Sequence, residues 1–227
     1  SMRLINKIIK MAVGCIQKNM SLDKLCANYQ YISFDIFDTL IERKCKEPSE
    51  IFSLIEQKYN RKAEVKIHNF KAQRIMAEIL SRKSSKNEEI SLNDIYLRIS
   101  DCYGDSIGKT LRQLEIQTEL EQCIAITPMV MLYNQYVNDS SKKVFITSDM
   151  YLPKDVIVDI LKRNGIKKPQ CLYVSCKEQQ TKRSGRLFRV LRNENGIKKK
   201  AMLHIGDNPI SDYLMAKLNG VDSYLIM

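Results

Sequence analysis

Near the start of the chain, Leu4, Ile5, Ile8, Ile9, Ala12 and Ile16 recur at the spacing of one helix face. This predicts an amphipathic helix over 4–18, packed on the body of the protein, with contact to a membrane surface as the lesser alternative for its basic side. Tyr31-Ile-Ser-Phe-Asp-Ile-Phe is a β-favouring run too brief for a helix. From Pro48 to about Gln122 the pattern is helical. Ile51, Leu54 and Ile55 recur first, then Phe70, Ile75, Met76, Ile79 and Leu80, then Ile95, Leu97 and Ile99, with a polar loop at Lys83–Glu89.

After Pro128 the grammar changes. Lys143–Ser148 reads as a strand, Pro153 as a helix start and Asn164-Gly165 as its stop. Gln170–Ser175 and Ala201–Ile205 are further strands separated by a helix over Ser184–Arg192. Pro209–Leu218 is helical, Gly220 ends it, and a last strand begins at Asp222. Strands alternating with short helices predict an α/β fold built on a parallel sheet with right-handed crossovers. The strand at Ile32 must rejoin that sheet across a helical insertion of roughly 80 residues, far longer than an ordinary connection. The expected organisation is an N-terminal helix on the core (1–30), an α/β core (31–46 and 127–227) and an all-helical cap (47–126).

The 227 residues are 44% hydrophobic and 28% charged, an ordinary balance for a folded protein. The formal charge of +11 favours anionic partners without choosing among them. No aromatic-interleaved basic stripe accompanies it, so nucleic acid is disfavoured. The charge-free stretch Gln122–Asn138 contains Pro128, Asn134 and Gln135 and predicts no membrane span. Seven cysteines at scattered spacings and two histidines argue against structural zinc, and they fit reduced thiols in a cytoplasm.

In an open parallel sheet, ligands bind beyond the carboxyl ends of the strands. The first strand ends in Asp35-Ile-Phe-Asp38-Thr39, the second in Thr147-Ser148-Asp149 and the fourth in Gly206-Asp207, with Asp212 following. The segment after the third carries Lys182. Asp35 is a candidate nucleophile and Asp38 a candidate general acid and base around one small substrate. Repulsion among Asp35, Asp38 and Asp207 calls for a hard divalent cation such as Mg²⁺. Ser148 and Lys182 offer a hydroxyl and a cation to the oxygens of a phosphoryl group, and Asp212 could hold Lys182 or a metal-bound water. Together these amount to phosphoryl transfer through an aspartyl-phosphate.

Asp-x-Phe-Asp-Thr-Leu at 35–40, an apolar strand ending in Ser148, Lys182, and Gly-Asp-x-x-x-x-Asp at 206–212 resemble the four ordered motifs of the haloacid dehalogenase (HAD) superfamily. The resemblance implies a Rossmann-like core with a mobile C1-type helical cap entering after Leu40. Its metal would be bound by Asp35, Asp207 and the main-chain carbonyl of Asp38. Aspartate at position 38 is what phosphatases of the superfamily have and dehalogenases lack. Phe34–Arg43, Arg74 with Ala77-Glu78, Ser148–Pro153, Lys182–Gly185 and His204–Asn208 further resemble bacterial proteins that occur alone or fused to glycosyltransferases of surface-polysaccharide synthesis. The expectation is a Mg²⁺-dependent phosphatase for a small phosphorylated metabolite, such as a sugar phosphate or nucleotide-linked sugar. A non-catalytic module docking a glycosyltransferase is the alternative.

Some positions stay open. Thr147 or Ser148 could be the second-motif hydroxyl, with Ser148 preferred. Thr39, Thr147, Asp149 and Asp212 are expected in support, and Arg43, at the start of the substrate-facing flap, as a specificity contact. His204 reads as a packed core histidine. Glu115 and Glu119, four apart on one helix face, need partners, with Arg74 or Arg112 as candidates.

Overall fold

The computed structural model describes residues 2–227. After the helices α1 (Met2–Gln17) and α2 (Leu22–Ala27), strand β1 (Tyr31–Phe34) enters the centre of a five-stranded sheet. The other members are β4 (Lys143–Ser148), β5 (Cys171–Val174), β6 (Met202–Gly206) and β7 (Asp222–Leu225), in the order β5-β4-β1-β6-β7. Every pairing in this sheet is parallel.

Alternation along the strands divides the interior into two layers. Val144 and Ile146 of β4, with Ile32, Phe34, Leu203 and Ile205, join the larger core. Phe145 and Met202 point the other way and pack with Leu187, Phe188 and Leu191 of α10 (Arg186–Glu194). Helices α7 (Thr127–Asn138), α8 (Lys154–Arg163) and the single turn α9 (Ser175–Glu178) complete the connections before α10. After β6 a wide helical turn, Pro209–Leu214, continues as α11 (Met215–Leu218). The result is the α/β sandwich that the strand–helix alternation predicts.

The chain leaves the core through β2 (Ile41–Arg43) and returns through β3 (Cys123–Ala125), which pair antiparallel as a two-stranded flap. Between them lie α3 (Glu50–Lys62), α4 (Phe70–Ser84), α5 (Leu92–Tyr103) and α6 (Asp105–Gln122). The flap is too short to show in the hydrophobic pattern. Nor does the apolar run on α4 face inward as its periodicity suggests. Met76, Ile79 and Leu80 are exposed, whereas Phe70, Arg74, Ala77 and Ser81 are buried. Arg74 accounts for the rotation. It is fully buried and donates to both oxygens of Glu115 at 2.8 and 2.7 Å, while Tyr96 donates to Glu115 at 2.6 Å. A buried charge must be paired, so the helix turns to satisfy the ion pair rather than to hide aliphatic groups. Arg112 instead bonds Asn93.

The face by which α1 docks is also a correction. Val13 and Gln17 are its buried residues, and the stripe containing Leu4, Ile5, Ile8 and Ile16 points to solvent. Gln17 decides this, because its amide both donates to the Leu225 carbonyl (2.9 Å) and accepts from the Leu225 amide (3.0 Å). No helix among the described residues is long and apolar enough to cross a membrane.

Candidate active site

β1 ends at Phe34 and delivers Asp35, which is buried and whose amide donates to the Ile205 carbonyl at 2.9 Å. The chain then turns sharply, with the amides of Leu40 and Ile41 both donating to the Ile36 carbonyl at 2.8 and 2.9 Å. Asp38 occupies the left-handed region of this turn (φ 57°), which aspartate tolerates better than most residues. β6 ends at Gly206 and delivers Asp207. Asn208 then caps the following turn, accepting from the amides of Ile210 and Ser211, both at 3.0 Å. That cap folds Asp212 back against the strand end, where it accepts from the Asn208 amide at 3.0 Å. A Cβ on Gly206 would lie 2.4 Å from Asp212 Cγ, so only glycine admits this approach.

Asp35, Asp207 and Asp212 each place a carboxylate oxygen within 4.8 Å of the others. Lys182 reaches into the group. Its Nζ lies 2.5 Å from Asp212 Oδ1 and 2.8 Å from Asp35 Oδ1, with the side chain almost wholly buried. Burial works against its charge, but Asp212, Asp35 and Asp149 outweigh that and hold the ammonium ionised. Burial likewise pushes Asp35 up to about 8 against the pull of Lys182, and Asp207 up to about 6, the latter aided by the charges of Asp212 and Asp38. Asp212 is held well below the ordinary carboxylate range despite its burial, chiefly by Lys182.

Asp212 is therefore already committed. Its oxygens serve Lys182, the Asn208 amide and His204 Nε2 (3.1 Å). Asp35 and Asp207 remain as the pair that could hold a metal, and the strain of concentrating carboxylates there is what a hard divalent cation relieves. Thr39, in the same turn as Asp38, is buried with its hydroxyl unpartnered.

Asp38, expected with Asp35 around one small substrate, lies three residues on in the same turn. Its side chain is exposed and is not one of the three converging carboxylates. Its charge still reaches Asp207. Asp149 is a scaffold element whose carboxylate accepts from the amides of Lys182 (2.7 Å) and Arg183 (3.1 Å), fixing the loop that presents Lys182. The Thr147 hydroxyl turns inward to Ser33 Oγ at 2.8 Å. Ser148, next along the strand, faces the opposite way by alternation. Arg43, expected as a specificity contact, is held in a bidentate pair with Glu119 of α6 (3.0 and 3.1 Å) and stacks on Phe37 at 4.3 Å.

The unforeseen members are Ser33 and the role of His204. His204 is a buried core histidine packed edge-on to Phe188, and it bridges Ser33 Oγ (2.9 Å) to Asp212. Thr147, Ser33, His204, Asp212, Lys182 and Asp35 thus form one continuous polar chain through the sheet. Ser33 stands opposite His204 in the register of β1 against β6, a pairing that the sequence alone does not give. A cavity of about 490 Å³ opens beside Asp149 and Asn208, with Arg82 and Arg183 in its wall.

No family model and no curated protein matches the chain. Solved structures do. The HAD-hydrolase YfnB from Bacillus subtilis, solved with magnesium, is 17% identical over 88% of this chain and 89% of its own, with a TM-score of 0.60. A HAD family enzyme from Bacteroides thetaiotaomicron, solved with magnesium and inorganic phosphate, is 14% identical over 88% and 94%, with a TM-score of 0.61. A 2-haloacid dehalogenase from Pseudomonas syringae is 11% identical over 87% and 86%, also at 0.61. The chain has the fold that these HAD proteins share, a Rossmann-like α/β core with a helical insertion.

Proposed function

We propose that the chain is a Mg²⁺-dependent hydrolase of small phosphate esters that works through an aspartyl-phosphate on Asp35. The observation that carries this reading is the placement of Lys182 between Asp35 and Asp212 at the mouth of the sheet, with Asp207 alongside. Asp35 attacks phosphorus in line, and Lys182 and Ser148 neutralise the oxygens of the transferring group. Asp38 protonates the departing oxygen and later takes the proton of the water that cleaves the acyl phosphate. Asp35 and Asp207, with the main-chain carbonyl of Asp38, would hold Mg²⁺, which when bound neutralises charge on the phosphoryl oxygens. The magnesium reported for two structures of this fold supports that assignment.

The insertion α3–α6 is read as a C1-type cap that screens the site and selects the substrate. The ammonium of Lys182 beside Asp35 favours an anionic substrate, with a sugar phosphate or nucleotide-linked sugar as the first class to try. A purely structural module docking a polysaccharide glycosyltransferase would not need Asp35 and Asp207 placed to share a metal.

Replacing Asp35 by Asn should abolish Mg²⁺-dependent release of phosphate from an aryl phosphate while leaving the fold intact by circular dichroism. Survival of that activity would falsify the assignment. The exposure of Asp38 supports a second, narrower reading, in which the natural substrate has a leaving group that needs little protonation, such as an acyl phosphate. Alkyl and acyl phosphates compared in the Asp38→Asn variant separate the two. Loss confined to alkyl esters supports the acid–base role, and equal rates for both with wild type support the narrower reading.

A further inference from the structure

We propose that α1 is a membrane-docking element that lays its outward apolar face on an anionic lipid surface. Met2, Leu4, Ile5, Ile8, Met11 and Ile16 are each between 50 and 68% exposed, although the helix docks along its length on the turn after β6 and on β7. At 3.6 residues per turn these side chains cover about half the helix circumference. An amphipathic helix that served only the core would bury this stripe. Here the reverse occurs, because Gln17 uses both ends of its amide on Leu225 and Val13 packs beneath. Rolling the helix to hide the stripe would break both bonds.

Charge selects the occupant. The helix contains no acidic residue, exposed Arg3 and Lys7 follow Met11 around its circumference, and exposed Lys18 comes just after its end. A second copy of the helix laid on the stripe would bring these cations together with nothing between them to neutralise them. An anionic bilayer meets both demands, accepting the aliphatic groups at the depth of the acyl boundary and the cations at the headgroups. With no described helix able to span a membrane, α1 lies in the interface plane. The inference stands apart from the reaction assigned to the carboxylates.

Cosedimentation of the full chain with phosphatidylcholine vesicles, with and without phosphatidylglycerol, tests it. The protein should pellet with the anionic vesicles, stay in solution with the neutral ones, and be released by high salt. The double variant Ile5→Ser, Ile8→Ser changes only exposed side chains and should weaken binding on the order of a hundredfold. Arg3→Gln with Lys7→Gln should weaken it about twentyfold. The proposal is overturned if folded wild-type protein ignores anionic vesicles, or if the isoleucine variant binds them equally well. A dimer in light scattering that the isoleucine variant disperses would overturn it too, by assigning the stripe to a second copy.

Discussion

Lys182 Nζ lies 2.5 Å from Asp212 Oδ1, so the ammonium of one loop is fixed by the carboxylate of a turn 30 residues away. Asp149 holds the same loop by its backbone, and Asn208 and Gly206 hold the turn. The lysine thus meets Asp35 in a position that the scaffold sets before any ligand arrives. Such preorganisation is what electrostatic stabilisation of a transferring phosphoryl group requires.

Lys182→Met should remove the proposed phosphate-ester hydrolysis and also destabilise the fold. The substitution leaves Asp212 buried and without its cation, a loss of about 3–5 kcal/mol for a broken buried pair. Urea denaturation followed by circular dichroism measures it. An unchanged midpoint would show that the pair contributes nothing to folding.

The Arg74–Glu115 pair in the insertion should behave differently from its apparent strength. Arg74→Met alone strands Glu115 and should cost about 3–5 kcal/mol, whereas Arg74→Met with Glu115→Leu should recover most of that loss. A double variant no more stable than the single one would mean that the pair itself, not the isolated charge, is what matters.

The loop between α4 and α5 is clasped to the loop that presents Lys182. Glu88 accepts from the Thr181 amide at 3.0 Å and the Ser184 hydroxyl at 2.6 Å and pairs with Arg186. Glu89 accepts from Ser175 at 2.9 Å. Glu88→Ala should release residues 181–186, raising their amide hydrogen exchange roughly tenfold for the loss of about 1–2 kcal/mol of local hydrogen bonding. Exchange confined to the insertion, with 181–186 unaffected, would contradict a clasp.

Magnesium affinity should rise with pH across the range in which Asp207 (about 6) and Asp35 (about 8) ionise. Both carboxyls titrate above the ordinary range because they are buried near other carboxylates, so at low pH the ion must displace protons. The same raised values mean that these two carboxyls contribute to the stability of the metal-free fold at low pH, and that this contribution is lost as pH rises through about 6 and then about 8. Added Mg²⁺ should offset that loss. Melting temperatures with and without Mg²⁺ at acidic and mildly alkaline pH give the comparison, and equal Mg²⁺ shifts at both would refute the coupling.

Much of this was legible because strand ends announce themselves. Asp35, Ser148 and Asp207 each follow an apolar run, and a parallel sheet brings such ends to one edge. Periodicity failed where polar contacts overrode it. Gln17 turned α1 outward, and Arg74 turned α4. The left-handed backbone at Asp38 and the exposure of its side chain were hidden too, since residue order alone does not give the conformation of the turn. The Ser33–His204 link lay beyond reach until the register of β1 against β6 was known.

Thr147 and Ser148 are adjacent hydroxyls that substitution can tell apart. Thr147 bonds Ser33 inside the sheet, so Thr147→Val should leave Ser33 with one partner fewer and lower stability by about 1 kcal/mol, with turnover nearly unchanged. Ser148 ends β4, buried and facing away from Thr147, and is the hydroxyl proposed to donate to the phosphoryl group. Ser148→Ala should therefore keep the fold and reduce kcat by about 10²–10³, the loss typical of one preorganised donor. Steady-state kinetics on an aryl phosphate, paired with urea denaturation of both variants, resolves them. If Thr147→Val loses turnover and Ser148→Ala does not, the second-motif hydroxyl is Thr147, and Ser33 is its positioning partner.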